Sequence, residues 1–325
     1  MSTEQEHPLS ERVNAELLRR PEKVLSGNSA LITGATRMNG IGFAIAERFA
    51  LEGASPIIIV GTQNSQDIAP FAVSRLKRYG GDVYIFTGDV TNEESCSEMM
   101  EQAYNLCDNV NILVNNAGTN INKPLTAVTV DDWNFVVGPK GLGAFLMTQK
   151  WFDIRNRKGI RGGRIINIGS IIGRYGNFGQ DAYAAANAGL EGLTKAHSLT
   201  LGRRDIKVNL IEPGFVEGTE MTSKMTEDHI SLIRTSSPLN QLIKPQDIAG
   251  AALYLAGPDG EKVTSSVVTV DAGLQSNYIA AHMLYQAGYR RIPSYAREIV
   301  QDISRQEVKN IQDDRKRQKE QEGNT

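Results

Sequence analysis

From Ser29 to Gly273 the chain alternates between short apolar runs and longer amphipathic stretches. Ser29–Thr33 is a short run holding the apolar Ala30-Leu31-Ile32, and Pro56–Val60 is continuously apolar, the pattern of a strand buried on both faces. Between them, Ile41–Ala54 carries apolar residues at helical spacing and ends near Gly53. The pattern repeats: strand Val83–Val90, helix from about Asn92 to Cys107, strand Asn111–Gly118, helix from about Asp131, strand Arg164–Ser170, helix from about Asp181 to Arg203, strand Lys207–Gly214. A shorter helix-rich stretch, about 219–236, and a helix over 245–256 precede a last strand, Ser266–Gly273. Strands alternating with helices predict an α/β fold with a parallel sheet and right-handed crossovers.

Outside this span the alternation stops. Residues 1–28 read as an N-terminal arm, with a short helix broken by Pro21. Residues 29–275 form the α/β domain, and 276–325 a helical or partly disordered extension. Ile299, Ile303, Val308 and Ile311 make an imperfect apolar stripe there, which suits either a solvated, fraying helix or one that docks on a neighbouring subunit.

With 40% hydrophobic and 22% charged residues among 325, the composition is that of an ordinary globular protein. A net charge of −2 gives no electrostatic case for nucleic acid or an anionic membrane. Two cysteines, Cys96 and Cys107, make no disulfide framework or zinc pattern. The polar N-terminus lacks a signal-peptide core, and no apolar run approaches the ~20 residues of a membrane span. The expectation is a cytoplasmic protein. The four histidines show no metal-ligand spacing.

Chemistry concentrates at strand ends. The turn Thr33-Gly34-Ala35-Thr36-Arg37-Met38-Asn39-Gly40-Ile41-Gly42 joins an apolar strand to an amphipathic helix. Backbone N–H groups and a helix N-terminus there suit a pyrophosphate, and glycine admits close approach. With this turn come Asp89-Val90, Asn115-Asn116-Ala117-Gly118, Ser170, Tyr183, Pro213-Gly214 and a terminal Val270-Asp271-Ala272-Gly273, in that order. In this the sequence resembles the short-chain dehydrogenases/reductases, and within them the 3-oxoacyl-carrier-protein reductases. The resemblance implies a Rossmann-type, doubly wound, seven-stranded parallel sheet in the order 3-2-1-4-5-6-7. It implies a dinucleotide held by Gly34, Thr36, Gly40, Ile41 and Gly42 at the phosphates, Asp89 and Val90 at the adenine, and Asn116, Ala117 and Gly118 along its length. Pro213, Gly214, Val216 and Thr219 would flank the nicotinamide, with Tyr183 and Asn187 beside it. Two departures are local. Five residues, not three, separate Gly34 from the next glycine, so the phosphate loop should bulge; the segment Pro213–Thr219 is one residue longer than the family's, which leaves the contact of Thr219 open.

Cofactor choice turns on the end of the second strand. An acid there would bind the adenosine ribose and repel a 2′-phosphate. The strand ends Val60-Gly61-Thr62-Gln63 without one, and Arg37 offers a charge-assisted partner to a phosphate. NADP(H) is favoured over NAD(H); the alternative is that Arg37 is only a solvated loop residue.

The family's reaction uses a Tyr acid, a Ser that holds the substrate oxygen, a Lys four residues after the Tyr, and an Asn on the preceding long helix. Ser170 and Tyr183 stand at the implied spacing. The Lys position, however, is Asn187, and the Asn position, in the register set by Trp133, Gly143 and Phe145, is Lys140. Bringing a phenol from about 10 to about 7 takes roughly 4 kcal/mol. An ammonium about 4 Å away at an effective dielectric near 20 supplies roughly that, and a neutral Asn does not. Asn187 can still bond the nicotinamide ribose. Lys140 follows Pro139 between two glycines, where the helix should kink and free the carbonyl of Phe135. Either Lys140 points inward and restores the charge beside Tyr183, or it turns to solvent and the protein is slow or inactive. Tyr175 either lines the substrate pocket or packs on the surface.

The expected function is NADP(H)-dependent reduction of a ketone, or oxidation of the matching alcohol, on a small molecule or acyl thioester, in a homodimer or homotetramer built on helices near 131–157 and 181–203. The alternatives are a catalytically silent subunit of the same fold, and a non-redox isomerase or dehydratase that reuses Tyr183. The spacing of an enoyl-reductase Lys falls on Leu190, against that variant. Segment 215–245 would cover the substrate.

Overall fold

β-Branched, apolar runs form seven strands. They are β1 (Ala30–Thr33), β2 (Ile57–Gly61), β3 (Val83–Thr87), β4 (Ile112–Asn115), β5 (Gly163–Ile168), β6 (Ile206–Pro213) and β7 (Val267–Val270). A computed structural model describes residues 23–276 apart from Gln66, Met221, Ser223 and Lys224. The expected arm helix and the C-terminal extension lie outside the described residues. All pairings are parallel, in the order β3-β2-β1-β4-β5-β6-β7, the predicted sheet. β1, β2, β4 and β6 are buried along their whole length, while the edge strands β3 and β7 are partly exposed.

The connecting helices are α1 (Ile41–Leu51), α2 (Ala69–Lys77), α3 (Glu93–Leu106), α4 (Val130–Gly138), α5 (Ala144–Arg157), a short α6 (Ile172–Tyr175), α7 (Asp181–Leu201), α8 (Glu227–Ser236) and α9 (Pro245–Ala256). Asn92 caps α3 by accepting from the Ser95 N–H, and Thr129 with Asp132 makes a reciprocal capping box on α4. The expected helix-rich stretch 219–236 is helical only from Glu227.

Two compact units emerge. Among the described residues, one runs from Lys23 to Lys224 and resumes over Ile243–Asp271; the other comprises Met225–Leu242 and Ala272–Ser276. In the first, α1 packs on α9, and α3 on α5. Alternate strand residues, Leu31, Ile58, Val60, Leu113, Ile165 and Val208, share one core with Met99, Met147 and Trp151 of α3 and α5. That is the period-2 rule applied to a sheet covered by helices. Residues 23–28 join this unit: Leu25 is fully buried and its N–H donates to Glu52. In the second unit, the Ser237 hydroxyl donates to the Gln241 and Ala272 carbonyls.

A buried polar network ties the strand ends together. Asn115 donates to Asn167 (2.9 Å) and Thr148 (3.1 Å), and Asn167 donates to Thr194 (2.8 Å). It links β4, β5, α5 and α7 just beneath the residues singled out in the sequence. Among the described residues no helix is long and apolar enough to cross a membrane.

Candidate active site

The carboxyl ends of β1, β4, β5 and β6 converge on one region, where ligands bind in open α/β sheets. β1 and β4 are pinned there by one hydroxyl: Thr33 Oγ1 accepts the N–H groups of Asn116 and Ala117, both at 3.0 Å. Asn116 Nδ2 returns to the carbonyls of Thr33 (2.9 Å) and Gly34 (3.0 Å). Two glycines permit this closeness. Gly34 has φ 65°, and a Cβ on it would lie 2.9 Å from Ala117 Cα. A Cβ on Gly42 would lie 2.5 Å from Asn116 Nδ2 and 2.7 Å from Gly34 O.

The extra residues of the phosphate turn close a turn of their own, the Gly40 N–H donating to the Arg37 carbonyl (2.8 Å). Gly40 then caps α1 in extended conformation without a side-chain acceptor. The first N–H groups of α1 therefore keep the capacity for an anion that helix N-termini share. Thr36 is buried against Gly61, whereas Thr62, just after β2, is exposed. Arg37 is ion-paired with Glu220, and Asn39 Nδ2 donates to the Gly218 carbonyl (3.0 Å).

Asp89 spends one carboxylate oxygen on the Thr91 N–H and hydroxyl, at 2.8 and 2.7 Å. Val90 is buried where Gly143 lacks a side chain. On β6 and beyond, Gly214 packs against Asp271, and buried Val216 bridges to Ile243. The Thr219 hydroxyl lies within 3.4 Å of the Val216 carbonyl and 3.1 Å of the Thr222 hydroxyl, bonds internal to its loop.

The catalytic candidates come together. Ser170 follows β5, with its Oγ accepting from the Ile172 N–H (3.2 Å). Tyr183 and Asn187 lie one turn apart on α7, both buried. Burial pushes the Tyr183 phenol above its ordinary value, against the opposing pull of hydrogen bonds with Ser170 and then Asn187. Asn187 Nδ2 donates to the Tyr183 carbonyl (2.7 Å), while its Oδ1 is buried without a partner.

Lys140 lies in a π-helical turn, Pro139–Gly143, that interrupts the long helix between α4 and α5, as Pro139 between glycines predicts. The side chain is inward and only 6% exposed, which excludes the solvent-facing alternative. Its Nζ donates to the Ile168 carbonyl (2.5 Å), two residues before Ser170, and its stem runs over Gly118. Burial alone lowers this amine to about 8. The exchange of Lys and Asn thus puts an amine into the same strand-end cluster, bonded to the backbone under Ser170.

Sequence reasoning missed one ion cluster. Arg174 of α6 meets Glu212 of β6 at 2.9 Å and Glu191 of α7 at 3.7 Å, and the Glu212 side chain is 2% exposed. A lone Glu in the apolar strand Leu210-Ile211-Glu212-Pro213 was the available signal. Among the described residues no three His, Cys, Asp or Glu side chains gather as metal ligands. Tyr175 is exposed at the surface of α6.

Comparison with known proteins agrees with this geometry. The family model described as Enoyl-(Acyl carrier protein) reductase matches residues 34–275. The chain is 36% identical over 250 residues to the 3-oxoacyl-[acyl-carrier-protein] reductase of Aquifex aeolicus, covering 77% of this chain and 98% of that one. It is 35% identical over 248 residues to the enzyme of the same name from Escherichia coli K12, covering 76% and 97%. A solved dehydrogenase/reductase from Sinorhizobium meliloti 1021 superposes with TM-score 0.70 at 32% identity, over 77% of this chain and 96% of that one. So does a blue fluorescent protein from a metagenomic library in complex with NADPH, with TM-score 0.70 at 33% identity over 78% and 99%. The strand order, the glycine turn and these likenesses together make the chain a member of the short-chain dehydrogenase/reductase family, an NAD(P)-dependent oxidoreductase.

Proposed function

We propose that this protein is an NADPH-dependent ketoreductase that acts on a 3-oxoacyl thioester or a similar ketone. One observation carries the reading: Ser170, just after β5, and Tyr183 and Asn187, one turn apart on α7, are buried together at the carboxyl ends of the strands. A phenol held above its ordinary value keeps its proton at neutral pH but gives it up less readily than one tuned near neutrality, so turnover slower than with a cation beside it is expected.

The residues present fit a dinucleotide. Gly34, Thr36, Gly40, Ile41 and Gly42 would hold the pyrophosphate at the uncapped start of α1. Arg37 would meet a 2′-phosphate, next to an exposed Thr62. Asp89 and Val90 would line the adenine, and Asn116, Ala117 and Gly118 the middle of the cofactor. Pro213, Gly214, Val216 and Thr219 would flank the nicotinamide. The orphaned Asn187 Oδ1 is an acceptor suited to a ribose hydroxyl. When bound, the nicotinamide supplies the hydride. Ser170 would orient the substrate oxygen, and Tyr183 would deliver the proton to it. Lys140 would provide the site's positive charge at one remove, from the Ile168 carbonyl, and return a proton to the site after turnover.

The thioester rests on the activity for which the relatives are named, and Leu190 at the enoyl-reductase spacing keeps the reading with ketones. Exposed Trp133, Phe135, Leu142, Phe145 and Leu199, on α4, α5, α7 and the turn between, support pairing of two copies through that face. The test is NADPH oxidation with a panel of β-keto thioesters and ketones. Substrate-dependent oxidation that Tyr183→Phe abolishes is the expected result. Saturable NADPH binding with no turnover on any of them would favour the silent subunit.

A further inference from the structure

A segment far along the chain, 218–220, is bonded to the phosphate turn. Arg37 pairs with Glu220, and Asn39 donates to the Gly218 carbonyl, a residue 179 positions away. Both contacts join the same short pieces, 37–39 and 218–220. These are the two places where this chain is longer than the pattern it resembles. Gly218, at φ 74°, turns the backbone at this point. The neighbouring Thr219 hydroxyl is anchored on Thr222 within its own loop, so Glu220 can leave Arg37 without that anchor breaking. The side chains of Arg37 and Glu220 are 51% and 60% exposed, so water can take the place of either partner.

A 2′-phosphate and a carboxylate compete for one guanidinium. Both accept its planar fork of donors, and the phosphate carries the larger charge and more acceptors. Two anions on the same cation repel, so phosphate binding to Arg37 requires Glu220 to withdraw. A cofactor with a free 2′-hydroxyl makes no such demand.

From this we infer that Glu220 is a cofactor-specificity determinant: by occupying Arg37 it weakens NADP(H) selectively and brings its affinity closer to that of NAD(H). The inference rests on the reading of Arg37 as the 2′-phosphate ligand.

The experiment is direct binding of NADPH and of NADH to the full chain, by calorimetry or fluorescence, for wild type, Glu220→Gln, Arg37→Met and the double variant. Glu220→Gln is expected to tighten NADPH about two- to fivefold, the span of an exposed ion pair, and to leave NADH unchanged. Arg37→Met should abolish that gain in the double variant. If Glu220→Gln leaves NADPH unaltered while Arg37→Met weakens it, the role of Glu220 is refuted and Arg37 keeps its own. Equal tightening of both cofactors would also overturn the specificity role, since segment 218–220 would then hinder both alike. An unchanged NADPH-to-NADH ratio in Arg37→Met removes the underlying reading and this inference with it.

Discussion

Gly118 and Lys140 share one small volume: a Cβ added to Gly118 would come within 2.4 Å of Lys140 Cε and 3.1 Å of its Nζ. The end of β4 is thus shaped around a lysine stem that enters from the π-helical turn. Gly118→Ala should push the amine off the Ile168 carbonyl. Overpacking of this kind costs about 1–3 kcal/mol. Denaturant unfolding reads the stability loss, and NADPH turnover should fall in the same variant. Unchanged stability and turnover would mean that the lysine stem relocates freely.

The buried amine also predicts a pH dependence of stability. Burial lowers Lys140 in the folded state to about 8 from 10.5. Between those values the unfolded chain binds more protons than the folded one, so stability rises with pH across that window. Below it, the cost of the buried charge is fully present. Lys140→Met should therefore stabilise the protein most at neutral pH, by at most ~3 kcal/mol less the cost of an unpaired Ile168 carbonyl. The gain should fade between about 8 and 10.5. Urea unfolding of both proteins across this range checks it, and a constant difference would contradict the lowered value.

Tyr183→Phe should leave NADPH binding intact and reduce turnover by about 10²–10⁴, the span of a lost general acid. In the unaltered protein the reduction rate should show no alkaline fall attributable to Tyr183 until above the ordinary phenol value. A rate that declines near neutrality in both wild type and Lys140→Met would place the essential acid elsewhere.

Asn187→Lys tests the exchanged pair from the other side. An ammonium about 4 Å from the phenol supplies about 4 kcal/mol, or about three pH units. Tyr183 should then ionise far more easily, and oxidation of the matching alcohol should gain at neutral pH. The pH profile of alcohol oxidation reports the shift. Asn187 is fully enclosed, so an unfolding measurement must accompany the assay.

Gly42→Ala should damage the phosphate turn. Its Cβ would meet Asn116 Nδ2 at 2.5 Å and the Gly34 carbonyl at 2.7 Å, and a backbone oxygen cannot swing aside. A loss of about 1–3 kcal/mol is expected, together with weaker NADPH binding. Calorimetry on the folded fraction separates the two effects.

Much of the fold was legible before the structure. The alternation of apolar runs with amphipathic stretches specified parallel strands, and the helices expected from Ile41, about Asn92, about Asp131, about Asp181 and Pro245 each begin within a residue of those positions. The exception was 219–236, where Thr, Glu and Gly residues make turns before α8 begins at Glu227. The kink at Lys140 was legible too, because proline removes a helix donor wherever it stands. The site residues could be named from motifs, but their partners could not. Glu212 illustrates the gap: nothing near it in sequence shows that Arg174 reaches it across α6.

By itself the sequence determined whatever depends on a few neighbouring residues: strand and helix periods, the glycine turn, the proline kink, and the substitution of Asn for Lys after Tyr183. Only the tertiary structure decided that Lys140 turns inward onto Ile168, that Arg37 is engaged by Glu220, and that one oxygen of Asn187 lacks a partner. Backbone sterics and hydrophobic period act over one or two turns of chain. The partner of a charged or polar side chain depends on which distant strand ends the folded sheet brings together.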